Sequence, residues 1–365
     1  MKNFSNIKVL ALMLAYSSFA MADHHAGSKH DSQVKYISYS QLGNPADVLE
    51  VKTEASSALN SGEVRVKVLA APINPSDLLQ ISGNYGVAAV LPARPGSEGV
   101  GRVTEVSPQV KNLKVGQLVL LAIGSTWAEE IVAPAEGFLP LPNLGTLSAE
   151  VIEQLAMSAV NPLTALLMLT SYGDIEEGQW IVQSAANSAV GGYVIQLAKQ
   201  RGIKTVNIVR REGLADDLMA KGADVVLIDG PNLTAQIAKA TNNASIMLAL
   251  DPVGGDTYGR LANSLGYGGT LVTYGVLSGK PATLDTGKVI FNDTRLRGFW
   301  LYKWYQTATT EEMQAAFGQV IPLITNGTLK ANIDSRYTVD QIKQAVTRAW
   351  EGGRNGKVLI VPNPL

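Results

Sequence analysis

The chain has 365 residues, a formal net charge of −1 and 46% hydrophobic content, enough apolar side chain for two packed domains of roughly 100–200 residues each. No basic run or stripe interrupts it, so nucleic acid is given no electrostatic footing. Cysteine is absent, which excludes disulfides, thiolate nucleophiles and thiolate metal ligands together.

The amino terminus carries Lys2 and Lys8, an apolar run from Val9 to Ala20, and the small-x-small string Ala20-Met21-Ala22. This pattern predicts a signal peptide over 1–22 and a periplasmic or secreted protein. The run is too short for a permanent membrane anchor. The alternative is a start at Met21, which leaves a cytoplasmic chain. A polar leader over 23–33 follows, and it holds all three histidines, His24, His25 and His30. Chemistry in the folded body must therefore work without Cys or His.

From Val34 the sequence reads as short strands broken by turns. Glu63 to Val68 alternates charged and β-branched residues, as a half-buried strand does. Gly99 to Val106 and Gln117 to Leu121 follow, each after Gly or Pro punctuation. Helices are expected over Glu150–Ala159 and Pro162–Tyr172. A βα alternation then sets in, with apolar strands at Trp180–Val182, Thr205–Val209, Val225–Ile228, Ile246–Leu250 and Gly269–Tyr274, and a helix from about Val190 to Gln200. Continuous apolar strands separated by helices indicate a parallel sheet covered on both faces. After Thr310 come two helix-like stretches and a last strand at Lys357–Val361. The fold class is therefore α/β, a doubly wound Rossmann-type sheet over 161–301 beside a β-rich domain built from 34–160 and a returning segment over 302–365.

The first βαβ unit holds the string Gln183-Ser-Ala-Ala-Asn-Ser-Ala-Val-Gly191. It lies where a dinucleotide pyrophosphate meets backbone N–H groups at a helix start. The glycine fingerprint is reduced: Ala186 and Ser188 stand in its first two places and Gly191 in its last. The second strand ends in Arg210-Arg211 with no acid before Glu212. A carboxylate there would bind a ribose 2′-OH, whereas guanidinium groups pair with a 2′-phosphate. NADPH is the expected cofactor.

Taken together, Ala71-Pro-Ile-Asn-Pro-Ser-Asp77, Gly83-Asn-Tyr-Gly86, Asn161-Pro-Leu-Thr-Ala165, Ala186-Asn-Ser-Ala-Val-Gly191 and Leu296-Arg-Gly-Phe-Trp-Leu301 resemble the zinc-free 2-enoyl thioester reductases of the mitochondrial type, within the medium-chain dehydrogenase/reductase superfamily. The resemblance spans Val34 to Leu365 and implies that the β-rich domain is GroES-like. It sets Asn74, Ser97 and Asn161 at the superfamily's zinc-ligand positions, and none of the three is a competent zinc ligand. It makes Tyr85 the catalytic residue. Hydride delivered to the β-carbon of an enoyl thioester leaves an enolate, whose charge a phenol can stabilise and whose α-carbon it can protonate.

The same resemblance implies cofactor contacts from Asn161, from Asn187, Ser188, Ala189 and Val190 at the pyrophosphate, and from Arg210 and Arg211 at the 2′-phosphate. Tyr274, Gly275, Val276, Leu277, Phe299, Trp300, Leu301 and Tyr302 are placed along the nicotinamide half, and Lys357 also reaches the cofactor. The implied substrate is a thioester of coenzyme A or of acyl carrier protein, and the implied assembly is a homodimer. Two rival functions remain: a quinone or alkenal reductase of the same superfamily, and a binding protein that has lost catalysis.

Overall fold

The computed structural model describes residues 32–122 and 124–365, so the expected signal peptide and the three histidines lie outside the described residues. Two compact units form, one from the residues up to Val160 together with Trp304–Leu365, the other from Asn161–Lys303.

In the first unit β1 (Gln33–Ser38) and β2 (Glu50–Ala55) pair antiparallel, with the short helix α1 (Pro45–Val48) between them. The long strand β3 (Glu63–Pro72) leads to α2 (Pro75–Ile81) and then β4 (Gly99–Val106). β5 (Leu118–Leu121), β6 (Glu130–Pro134), β7 (Phe138–Pro140) and helix α3 (Ala149–Ala156) complete the opening segment. β3 pairs antiparallel with β4 and also with β6. At Gly101 of β4 an added Cβ would lie 2.3 Å from Val66 Cγ1, so the two strands meet this closely only because the side chain is missing.

The expected alternation in β3 holds at Lys67, which is exposed, and fails at Arg65, which is buried. The Arg65 guanidinium is buried because it is paired: Nε donates to Glu105 Oε2 at 2.9 Å, and Nη1 donates to Glu130 Oε1 at 2.5 Å. A satisfied cation can occupy a position that an unsatisfied one cannot.

The second unit opens with α4 (Asn161–Ser171) and runs through β8 (Trp180–Gln183), α5 (Ala189–Gln200), β9 (Lys204–Val209), α6 (Ala215–Lys221), β10 (Val225–Ile228), α7 (Leu233–Ala240), β11 (Leu248–Asp251), α8 (Gly255–Ala262), β12 (Thr270–Thr273), α9 (Thr286–Asn292) and β13 (Arg295–Gly298). All six strands are parallel, in the order β10-β9-β8-β11-β12-β13. Helices cover both faces: Val206 and Ile208 of β9 pack with residues of α7 and α8, while Val209 packs with Ile195 of α5 and Leu218 of α6.

Beyond α10 (Leu301–Thr307) and α11 (Thr310–Thr325), the tail contributes β14 (Ile333–Tyr337), α12 (Ile342–Trp350) and β15 (Lys357–Ile360). β15 pairs antiparallel with β3 and parallel with β14, which places the last strand inside the first unit's sheet. The sequence reading lacked β13 and β14; neither carries the continuous apolar run by which buried strands are recognised.

Candidate active site

In the second unit, β8 ends at Gln183 and the chain turns through Ser184–Ser188 into α5. Ala185 takes φ +47°, a left-handed conformation that costs an L-residue about 1–2 kcal/mol. Ser184 Oγ donates a hydrogen bond to the Asp251 carboxylate, and Ala186 N–H donates to Ile208 O at 3.1 Å. Ser188 caps the helix by accepting from Gly191 N–H at 3.1 Å. A Cβ on Gly191 would lie 2.5 Å from Ala186 O, so glycine is required for the helix to start this close to the turn. The amides of Ala189 and Val190 begin the helix and have no carbonyl one turn back. A helix start of this kind suits a pyrophosphate.

Arg210 and Arg211 directly follow β9, and both are exposed. Tyr274 follows β12, and its hydroxyl is pushed well above the usual phenol range, chiefly by burial. A Cβ on Gly275 would approach Pro252 O to 3.0 Å, so a small residue suits the turn there. Val276 and Leu277 are exposed. Phe299 follows β13, donates its N–H to Thr273 O at 2.8 Å, and stands edge-on to Tyr172 with ring centroids 6.3 Å apart. The Trp300 and Tyr302 rings lie 5.1 Å apart. Asn187–Val190, the two arginines, Tyr274–Leu277 and Phe299–Tyr302 thus all lie past the carboxyl ends of parallel strands, the edge at which open α/β sheets bind ligands. The donors there fit a phosphorylated dinucleotide.

Asp251 escaped the sequence reading. Fully buried at the end of β11, it accepts from Ser184 Oγ and from the amides of Val253 (3.2 Å) and Gly254 (2.8 Å). It therefore ties the turn between β8 and α5 to the next crossover. Burial raises its pKa against those hydrogen bonds.

In the first unit Tyr85 lies half-buried in the segment between α2 and β4. Asn84 N–H donates to Leu79 O at 2.8 Å, Gln80 Nε2 donates to Val87 O at 3.4 Å, and Ala93 exchanges backbone hydrogen bonds with Tyr39. The loop is fixed on both sides of Tyr85, and its immediate neighbours Asn84 and Gly86 are exposed.

The same unit buries a polar cluster that the sequence reading did not anticipate. Lys357 is 6% exposed, Asn74 1% and Glu98 0%. The Lys357 ammonium donates to Ile73 O at 2.9 Å and Asn74 Oδ1 at 2.5 Å, so its charge is engaged within the protein. Asn74 Nδ2 donates to Glu98 Oε1 at 2.9 Å and more weakly to Ser97 Oγ at 3.4 Å, and Asn74 N–H donates to Asp77 Oδ2 at 2.8 Å. A zinc ion does not fit Asn74 and Ser97. Both are neutral, and the Asn74 oxygen that would face the metal already faces an ammonium. Among the described residues no group of three or more His, Cys, Asp or Glu could hold a metal ion.

Burial pushes Asp77 up to about 6, against the hydrogen bond from Asn74 N–H, and Glu98 up to about 7, against the opposing pull of Lys357. Burial also lowers Lys357 to about 8, against the pull of Glu98 and Asp77. Both carboxyls hold their protons more tightly in the folded chain than in the unfolded one. Their contribution to stability is complete below about pH 4 and is lost as the pH rises through 6 and 7. Lys357 acts in the opposite sense: its contribution is present above its ordinary 10.5 and is lost as the pH falls through about 8. The double variant D77N/E98Q should therefore gain in melting temperature over the wild type as the pH rises from about 5 to 7.5. Parallel melting curves across that range would refute this account.

Residues 60–143 match the alcohol dehydrogenase GroES-like domain and residues 189–319 the zinc-binding dehydrogenase family. The mitochondrial enoyl-[acyl-carrier-protein] reductase of Rattus norvegicus is 35% identical over 339 residues, covering 91% of this chain and 87% of the relative. The solved Etr1p/NADP/crotonyl-CoA complex superposes with a TM-score of 0.82 at 28% identity, over 90% of this chain and 100% of that one. A putative NADPH:quinone reductase from Bacillus thuringiensis gives 0.81 at 29% identity, over 90% and 99%.

The curated relatives correct the expectation of a periplasmic or secreted protein, because they are mitochondrial enzymes. Before Asp23 the sequence holds Lys2 and Lys8 and no acidic residue, a composition that organelle presequences share with secretory signals. By its coverage of both chains, this protein belongs to the enoyl-[acyl-carrier-protein] reductase family, NADP-dependent oxidoreductases that act on CH–CH bonds within the medium-chain dehydrogenase/reductase superfamily.

Proposed function

We propose that this protein uses NADPH to reduce the C=C bond of a 2-enoyl thioester carried by coenzyme A or acyl carrier protein. The observation that carries the reading is the clustering, past the carboxyl ends of one parallel sheet, of a small-residue phosphate turn and the exposed pair Arg210–Arg211. The family supplies the substrate class.

NADPH, when bound, supplies a hydride to the β-carbon, and the thioester oxygen takes up the resulting enolate charge. Tyr85 is assigned to that charge: its phenol donates a hydrogen bond to the oxygen and serves as the proton source for the α-carbon. Arg210 and Arg211 hold the 2′-phosphate as charge-assisted donors. The helix start at Asn187–Val190 takes the pyrophosphate, with the amides of Ala189 and Val190 as donors and Ser188, whose N–H is held by Ala185 O, as the cap. Tyr274–Leu277 and Phe299–Tyr302 line the nicotinamide half, and Asn161 is a further cofactor contact.

A homodimer is part of the proposal. Among the described residues β13 pairs with β12 alone, at the edge of its sheet, and all four of its residues are exposed. Beside it, Tyr267, Ile290 and Phe291 are 74%, 71% and 80% exposed. An open strand edge flanked by large apolar side chains is normally covered, and a second copy of the same edge suits a two-fold interface.

Steady-state NADPH oxidation should proceed with crotonyl-CoA and not with 1,4-benzoquinone; turnover of the quinone alone would favour the quinone-reductase reading that the Bacillus structure raises. Tyr85→Phe should lower kcat with crotonyl-CoA about 10²–10³-fold, the usual cost of losing one donor to a developing oxyanion, and unchanged turnover would remove Tyr85 from the mechanism. Replacing Arg210 and Arg211 by Ala should raise KM for NADPH at least about tenfold while leaving KM for NADH nearly unmoved; equal effects on the two cofactors would refute the 2′-phosphate assignment. Light scattering should give a dimer mass for the wild type and a monomer mass for L296D/F291D, and a monomeric wild type would remove the dimer.

A further inference from the structure

A buried chain of hydrogen bonds in the first unit ends on the backbone immediately ahead of Asn161. It starts at the Lys357 ammonium, which donates to Asn74 Oδ1, and passes through the Asn74 amide to Glu98 Oε1. The other carboxylate oxygen, Glu98 Oε2, accepts from the N–H groups of Ala159 and Val160, both at 2.9 Å. Tyr305 Oη donates to Ala159 O at 2.7 Å. The dipeptide is thus held by its amides from one side and by a carbonyl from the other. It lies in the turn between α3 and α4.

A carboxylate with no exposure to water is costly unless every oxygen is satisfied. Glu98 satisfies one oxygen on Asn74 and the other on two backbone amides, 61 and 62 positions away in sequence. The link between Lys357 and Glu98 must both accept and donate. Asn74 presents its oxygen to the ammonium and its NH2 to the carboxylate, which neither Asp nor an apolar residue can do.

We propose that Glu98 is a positioning residue for NADPH binding, acting through Ala159 and Val160 on Asn161, the next residue in the chain. Lys357 then serves the cofactor indirectly, by orienting Asn74 and Glu98. The proposal rests on the assignment of Asn161 as a cofactor contact.

Fluorescence titration with NADPH, without thioester, separates this proposal from the functional reading. Glu98→Ala should raise the NADPH Kd at least about tenfold, the scale of loss expected from a small displacement of a positioned group. KM for NADPH should rise more than kcat falls, with KM for crotonyl-CoA nearly unchanged. Glu98→Gln, which keeps one acceptor oxygen, should show a smaller loss in the same direction, and Tyr305→Phe should follow it. E98A combined with N161A should bind no worse than the weaker of the two single variants, because both act on one contact. If E98A does not fold, E98Q, Y305F and their combinations with N161A carry the same test.

Folded variants that bind NADPH as the wild type does, whatever their melting temperature, would reduce Glu98 to a purely structural role and overturn the proposal. Independent, additive losses from E98A and N161A would overturn it as well. A wild-type chain that binds no NADPH would overturn the functional reading itself, and this proposal with it.

Discussion

An ammonium and a carboxylate lie buried in the first unit with one side-chain amide between them. Lys357 comes from the last strand, Asn74 from the residue before α2, and Glu98 from the residue before β4. Each charge has given up its water, and burial of this kind is tolerated only where the remaining partners are complete. The Asn74 amide completes both, and Asp77 holds the Asn74 backbone N–H from within α2. Three distant stretches of chain are thereby fixed at one point. This explains why the first unit is discontinuous: β15 must return to β3 for Lys357 to reach Asn74. It also fixes the start of α2, the helix whose far end carries the Tyr85 loop.

In the second unit the constraint is topological. A parallel sheet with right-handed crossovers sends every strand-to-helix loop to the same edge. Apart from Asn161 at the start of α4, the second-unit residues assigned to the cofactor are scattered from 187 to 302, yet each group follows a strand end. Asp251 adds a chemical tie to this arrangement. By accepting from Ser184 as well as from Val253 and Gly254, it makes the shape of the turn before α5 depend on the neighbouring crossover.

Much of the architecture is legible in local patterns. Gly99–Val106 is a strand with the bounds that its alternation suggests, and the apolar runs at 180–183, 204–209, 225–228, 248–251 and 270–273 are the strands of the doubly wound sheet. Arg295–Gly298 is not legible as a strand. Its string Arg-Leu-Arg-Gly has no buried face, because it stands at an open edge. The candidate site divides in the same way. Arg210–Arg211 and the small-residue turn declare themselves because their chemistry lies in consecutive residues. Glu98 and Asp251 do not, since a single acid beside an apolar strand has no periodicity. Their meaning comes from partners 61 and 67 positions away. Arg65 reads locally as an outward-facing charge, and only its pairing with Glu105 and Glu130 reveals it as part of the interior.

The turn that carries the reduced glycine fingerprint holds a left-handed alanine one residue before the fingerprint's first place. A left-handed residue is needed where β8 gives way to α5, and here Ala185 adopts that conformation with a Cβ attached. The strain of about 1–2 kcal/mol must be offset by the neighbours. Ser184 is held by Asp251, Ala186 N–H by Ile208 O, and Ser188 N–H returns to Ala185 O at 2.9 Å. Each bond fixes a residue next to, or within three positions of, Ala185, and none requires glycine. The fingerprint's last glycine has no such substitute. Gly191 meets Ala186 O at a distance that no Cβ can share, and hydrogen bonds cannot relieve an overlap of atoms. A left-handed backbone can be held by a network of neighbours, whereas a lack of volume cannot be replaced, and Gly191 is accordingly still glycine while Ala186 and Ser188, neither with a positive φ, fill the fingerprint's other two places.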